Sequence, residues 1–466
     1  MSFFSKKSFA SVKNTGSNSS LDRNLSAMDL ILLGLGAIIG TGVFAFTGLV
    51  AAKYSGPAVT LSYGIAGLVC IFVAFAYTEL ATMLPTSGSI YTYSYVAFGQ
   101  GIAWLVGGVI TIELGVAAAA VAGSWSAYVQ GILNHAGIVL PLAISAPIAQ
   151  GGIVNLPAML IVFFVGGMLY LGTKESKKLN TALVFIKMAA ITLFLILAIP
   201  NFDIQKWDNF MPYGFDDVLF GSSILFFAFT GFGTLASAAE ECKNPKRDLT
   251  IGIIGSLILS TCVYMLIAAV LTGITHFSEL DNAQSLAYAL SQNGSNIGSI
   301  LVAAGAIAGM TTVLMLNIYG QSRIFYVMAR DGLLPEAMTK IHAKYDSPSI
   351  AIIILTVLIA LAGGLLPYNI LGQLSSMAAL TDYILVAMIV MLFRKVHATA
   401  ERPFKCPAVF VIAPVALISC IYLLFKQILD KNGELLLTGK IFITWFVIIF
   451  VVYFIRQICS AMIRQK

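Results

Sequence analysis

Lys187 is the first residue that demands a chemical explanation. It stands inside an apolar run, Thr181–Ile199. A lysine in the middle of a hydrocarbon-buried helix costs at least about 2.5 kcal/mol, and a buried ammonium is a group able to exchange its proton. One reading is a proton-responsive cation that takes the place of a bound sodium ion. The other is a side chain that snorkels to a membrane interface, because Lys187 lies only two short turns from one end of its run. Glu113 and Asp382 are carboxylates in the middle of two other runs, and Asn317 is a polar group in a third. Ionisable groups at such depth are functional candidates by default, or else pair with a basic residue or a backbone donor for structure. Glu79 lies near the end of its run and pairs, in the plainer reading, with a loop cation. Glu240 and Glu241 precede Cys242-Lys-Asn-Pro-Lys-Arg247 and read as interfacial ion-pair partners.

Two glycine-rich stretches, Gly34-Leu-Gly-Ala-Ile-Ile-Gly-Thr-Gly42 and Thr230-Gly-Phe-Gly-Thr234, interrupt apolar runs. A broken helix leaves unpaired N–H groups at one end of the break and unpaired C=O groups at the other. In hydrocarbon each orphan costs several kcal/mol. A zwitterion satisfies both kinds: its carboxylate takes the N–H groups and its ammonium takes the carbonyls. Gly40 and Gly42 let a ligand approach the backbone closely. The competing reading is helix packing through small residues, for which Gly36 and Gly40 have the right four-residue spacing.

Other chemistries lack their signatures. The sequence has no Gly-x-Ser-x-Gly, no His-Glu-x-x-His and no phosphate-loop lysine motif. Its four histidines fall in loops or at the ends of runs. Its six cysteines show neither Cys-x-x-Cys pairing nor histidine partners at metal-ligand spacing, so they read as small hydrophobes. No enzyme, metal or cofactor is expected, nor a nucleic-acid partner.

The elements that position these groups follow from composition. Of 466 residues 59% are hydrophobic and 10% charged, too apolar for a chain that must cover itself in water. Twelve segments are apolar enough to cross a bilayer: Leu30–Ala51, Pro57–Ala81, Ala103–Val129, Leu156–Leu171, Thr181–Ile199, Val218–Ala239, Ile251–Ile274, Ile297–Tyr326, Ala351–Leu366, Leu371–Phe393, Ala408–Leu429 and Ile441–Ile458. Gln284–Gly298 reads as an external loop with room for a surface helix. Basic residues segregate. One set of connections and tails holds Lys6, Lys174, Lys177, Lys243, Arg247, Arg323, Arg330, Arg394, Arg402 and Arg456, among others; the opposite set holds only Lys53, Lys206, Lys426, Lys431 and Lys440. That asymmetry predicts both termini in the cytoplasm, consistent with an even number of crossings. Residues 1–26, rich in Ser, Asn and Lys, read as a disordered cytoplasmic tail. No cleavable signal peptide is expected. The two glycine breaks fall in the first segment of each of two successive groups of five, which points to a repeat transporter with a central site.

Five stretches carry a resemblance: Gly36-AIIGTGVF-Ala45, Tyr77-TELATMLPTSGSIYTYSY-Val96, Gly172-TKESKKLN, Ala238-AEECKNPKRDLTIGI-Ile254 and Gly320-QSRIFYVMARDGLL-Pro335. In order and spacing the chain resembles, from about Leu21 to Arg402, the amino acid–polyamine–organocation superfamily and within it bacterial relatives of the cationic amino acid transporters. The resemblance implies an all-α integral membrane fold of twelve helices, LeuT-like, with helices 1–5 and 6–10 as inverted repeats. Residues 27–395 would form the transport core, and 396–466 would hold helices 11–12 and the C-terminus as a packing or partner surface. The resemblance implies a substrate carboxylate at Ile39, Gly40, Thr41 and Gly42, and an ammonium near Phe227, Ala228 and Thr230. Phe227 and Phe229 are candidates for an aromatic gate. Lys187 falls where proton-coupled relatives place a lysine in lieu of sodium, and Glu113 matches an acidic position of helix 3, so the resemblance implies Lys187, together with Glu113, as the proton-coupling residues. Two departures bear on selectivity. Gly233 stands where relatives often carry Asp, and Asp382 stands where they usually carry an apolar or Gly-Thr run. The expected function is amino acid transport across the cell membrane, by proton symport; the alternatives are exchange or a transporter-like sensor. The expected partners are the amino acid, a proton and the bilayer.

Overall fold

In the computed structural model the described residues are 3–12, 25–86, 88–172, 174–233, 235, 242–342, 344, 345, 347–430 and 432–464. Helices α1–α12 account for most of them: Ala27–Ile38, Val59–Met83, Gln100–His135, Leu156–Tyr170, Lys174–Ala198, Phe215–Leu225, Pro245–Ile274, Asn296–Arg330, Ser349–Leu365, Tyr368–Val396, Val409–Ile428 and Leu437–Arg464. Ten of the twelve predicted apolar segments fall largely on one of them, whereas Leu30–Ala51 and Val218–Ala239 only begin on α1 and α6. Among the described residues eight helices are long and apolar enough to cross a membrane, and three shorter ones are apolar. Local signals set the ends. Ser26 and Asp29 form a capping box at the start of α1. Asn155 caps α4 through the Ala158 N–H, and Pro245 opens α7 where its missing N–H is harmless.

Burial fixes which face of each helix turns inward. In α5, Val184, Lys187, Ile191, Phe194 and Ala198 are buried, while Phe185, Ile186 and Ile196 are exposed. The buried stripe recurs every three or four residues, as one helix face requires. Apolar residues such as Leu68, Phe164, Leu301, Leu358 and Val451 stand out on the surface. That outward apolar belt needs hydrocarbon as its solvent.

The packing partners form a pattern. α1 lies on α7, and α6 on α2; α5 lies on α8, and α10 on α3; α2 meets α7, α3 meets α8, and α4 meets α9. Adding or subtracting five converts each pair into another of the set or into itself. Two like units of five helices, related by a twofold operation, give that pattern. Beyond α1 the chain breaks at Ile39 and Gly40 and resumes as Gly42–Phe46, Thr47–Val50 and Ala51–Ser55. Beyond α6 it tightens into the turn Phe226–Phe229 and then leaves helical geometry at Thr230. The breaks therefore occupy equivalent places in the two units.

Three sequence expectations change. Residues 3–12 are not a free tail: Gly101 N–H donates to Phe3 O at 2.8 Å, Gln100 N–H donates to Ser5 O at 2.9 Å, and Val12 is buried in the core. The polar composition hides Phe3, Phe9 and Val12, which anchor the segment. The helix expected on the surface near Gln284, Ser285–Gln292, is packed into the bundle instead, with Leu286, Ala287, Ala289 and Leu290 buried. Arg323, grouped with loop cations, lies inside α8. Glu240, Glu241 and Thr234 lie outside the described residues.

Candidate functional site: two broken helices and a buried lysine

At the first break Ile39 is extended, with φ −76° and ψ 106°. The final carbonyls of α1 are thus left without intrahelical donors. Lys187 supplies them. Its Nζ donates to Gly36 O at 2.8 Å and to Ile39 O at 2.7 Å, and it lies 3.4 Å from Thr312 Oγ1. Those three contacts account for the three hydrogens of an ammonium. The side chain is 0% exposed, so it faces the bundle rather than snorkelling outward. A cation at the C-terminal end of a half-helix is also where the helix dipole favours one. Gly309 of α8 clears the path, since a Cβ there would stand 3.0 Å from Lys187 Cβ and 3.1 Å from Cδ.

The chain beyond the break begins a helix whose first N–H groups, from Gly40 onward, point back toward the gap. Thr41 Oγ1 is buried there without a hydrogen-bond partner. Gly40 rests on Val313, and its Cβ would come 2.6 Å from Val313 Cγ2. Gly42 rests on Ala228 of the second break, where a Cβ would be 2.3 Å from the Ala228 Cβ. The two breaks therefore touch through a glycine. Tyr264 of α7 ties them further: its hydroxyl lies 2.8 Å from Ile38 O and 3.0 Å from Ala228 O. Tyr63 donates to Gly42 O at 2.9 Å, and Tyr128 to Phe44 O at 2.7 Å.

At the second break Thr230 adopts φ −58° and ψ 144°, and its Oγ1 donates to Phe227 O at 2.8 Å. Gly231 follows with φ +106°, a conformation open to glycine at no steric cost. The two expected gate residues diverge. Phe227 packs on Phe46 at 4.7 Å between ring centroids, and Phe46 packs on Tyr368 at 5.7 Å. Tyr368 borders a polar cavity of about 400 Å³ at the end of the bundle opposite the basic loops, with Lys53, Gln130, Asn155 and Asp281. Phe229 instead fits against Tyr63 and Tyr264, fully buried behind the break. A second, smaller cavity of about 50 Å³ opens on the other side of the breaks. Gly231, Gly233, Glu113, Asp382, Tyr383 and Arg323 line it.

This smaller cavity joins residues that the sequence keeps far apart. Glu113 sits in a π-helical turn, Thr111–Val116, which widens α3 locally; such turns frequently mark functional sites. Its carboxyl meets that of Asp382 within hydrogen-bonding reach. Gly233 faces Tyr77, whose hydroxyl would be 3.1 Å from a Cβ at that position. The acid missing at Gly233 and the acid gained at Asp382 thus stand on walls of one cavity. Asn317 is buried one turn beyond Val313 on α8, its Nδ2 without a partner; it borders neither cavity. Sequence reasoning missed Thr312, Tyr264, Tyr383 and Gly309. Threonines, tyrosines and glycines are too common in apolar helices for one of them to stand out.

Glu79 is placed as expected, and more firmly. It accepts from Arg394 Nε at 2.7 Å, from Arg394 Nη2 at 2.6 Å, from Arg402 Nε at 3.1 Å and from the Cys406 N–H at 2.7 Å.

Comparison with known proteins adds an independent line. The model of a family described as amino acid permease matches residues 25–455. The chain is 39% identical over 462 residues to the branched-chain amino acid permease BcaP of Bacillus subtilis (strain 168), covering 97% of each chain. It is 35% identical over 456 residues to the methylthioribose transporter of the same organism, again covering 97% of each. Cationic amino acid transporter 1 of Arabidopsis thaliana is 33% identical over 390 residues, 82% of this chain and 64% of that one.

Proposed function

The chain belongs to the amino acid permease family, and we propose that it moves its amino acid in symport with a proton, by alternating access across the cytoplasmic membrane. Transport rather than catalysis is the family's activity, and an amino acid the class of its substrate. In the proposed site the substrate carboxylate binds the N–H groups from Gly40 to Gly42 and the Thr41 hydroxyl, and its ammonium binds carbonyls around Phe227, Ala228 and Thr230. Phe227 covers the site on the side of the larger cavity. Residues 27–395 form the transport core, residues 396–466 a supporting surface, and both termini lie in the cytoplasm.

The contact of the Lys187 ammonium with Gly36 O and Ile39 O carries the reading. Protonated, Lys187 fills the carbonyls of the first break and holds that break in the shape that presents N–H groups to the substrate. Loss of the proton removes a donor and the charge, and leaves the carbonyls of α1 to find other partners. Proton and substrate thus stabilise one arrangement of the same backbone, and binding of either favours binding of the other. Uptake of a labelled amino acid panel into proteoliposomes tests the coupling. Accumulation into empty vesicles under an inward proton gradient is the expected result. Uptake only into preloaded vesicles would make the protein an exchanger, and saturable binding without uptake would make it a sensor.

A further inference from the structure

The carboxyl cavity has a use that the backbone site does not require. We propose that Glu113, Asp382 and Tyr383 form a side-chain subsite for a small uncharged hydrogen-bond donor, a hydroxyl, so that the protein favours threonine-like over valine-like substrates. The inference rests on the reading of the two breaks as the substrate site, because Gly231 and Gly233 of the second break form one wall of the cavity.

Three features fix the chemistry. The first is a surplus of acceptors. Asp382 is 3% exposed, and among the described residues no N–H or O–H group donates to its Oδ1. Its carboxyl meets that of Glu113. The remaining oxygens of the pair offer only lone pairs. The second feature is independent of the acids. Tyr383, 2% exposed, lines the same cavity with a hydroxyl that has no partner among the described residues. A ligand hydroxyl that donates to the carboxyl pair and accepts from Tyr383 satisfies both. An apolar methyl in its place leaves both stranded, and stranded buried polar groups are costly. The third feature sets size. About 50 Å³ admits a hydroxyl and its carbon, not a lysine or arginine side chain.

Threonine and valine have nearly the same shape and differ by a hydroxyl for a methyl, so their ratio isolates the subsite. Initial uptake of each, labelled, is measured in proteoliposomes for the wild type, Asp382→Ala and Asp382→Asn. A ratio within one preparation is independent of how much protein is folded. The wild type is expected to favour threonine by about ten-fold in kcat/KM, the cost of leaving a buried acceptor unpaired being of that order. The ratio should fall to about one in Asp382→Ala and at least about three-fold in Asp382→Asn. Valine taken up as well as threonine by the wild type, a ratio unchanged in both variants, or lysine preferred to both would overturn the subsite. If the wild type neither transports nor binds any amino acid, the transport reading itself fails.

Discussion

At the scale of the residue, the site depends on atoms that cannot be exchanged for similar ones. Gly42 is the clearest. An added methyl would stand 2.3 Å from Ala228 Cβ and 2.5 Å from Ala228 Cα, and backbone cannot yield as a flexible side chain does. Forcing such a contact typically costs about 1–3 kcal/mol. Gly42→Ala is therefore expected to part the two breaks and lower uptake by about ten-fold or more at equal expression. Wild-type uptake in that variant would mean that the breaks need not touch. Lys187 was legible in the sequence as a cation in the wrong solvent. Its two carbonyl partners were not, since nothing in the sequence indicates which orphans a distant lysine will meet. The same limit hid the meeting of Glu113 and Asp382, which are more than two hundred residues apart and converge only because α10 packs on α3.

At the scale of the element, the end of the bundle that carries the basic loops is held by two fastenings. Glu79 ties α2 to Arg394 at the end of α10 and to Arg402 and Cys406 beyond it. Its carboxyl side chain is 1% exposed, and that of Arg402 5%. Removing one partner of a buried ion pair strands the other charges, at about 3–5 kcal/mol. Glu79→Ala should therefore lower the melting temperature in detergent by several degrees, whereas an unshifted transition would place the cluster in water. The second fastening is residues 3–12. Lys7 meets Asp331 at 2.5 Å, Tyr91 donates to the same carboxylate at 2.9 Å, and Phe9 stacks on His397 at 4.3 Å. Burial, reinforced by the charges of Arg402 and Lys6, holds the His397 imidazole below its ordinary value of 6.5. A base depressed in the folded state favours the docked form above that ordinary value and loses the contribution as pH falls toward the depressed one. Residues 3–12 should accordingly be cut faster by protease at pH 5 than at pH 8, more so than in His397→Phe. Equal protection of the wild type at both would remove His397 from the fastening. Composition alone pointed to a loose tail here, because three apolar anchors are lost in the average over its polar neighbours.

At the scale of the whole molecule, the sequence was most informative where physics acts on averages. Hydrocarbon demands runs of about twenty apolar residues, so the helices and their order were legible. Glycine runs in the first helix of each five-helix group gave the breaks. The packing of unit on unit, which places α5 against α8 and brings Lys187 to the first break, depends on side-chain fit that no single run reveals. What the molecule does with that arrangement turns on one ammonium, and one measurement tests it most directly. Lys187→Ala, reconstituted beside the wild type, is assayed for accumulation into empty vesicles under an inward proton gradient and for exchange into preloaded vesicles. The account predicts that gradient-driven accumulation falls at least about ten-fold while some exchange persists through the two breaks. Wild-type accumulation by the variant, with its dependence on external pH intact, would contradict it.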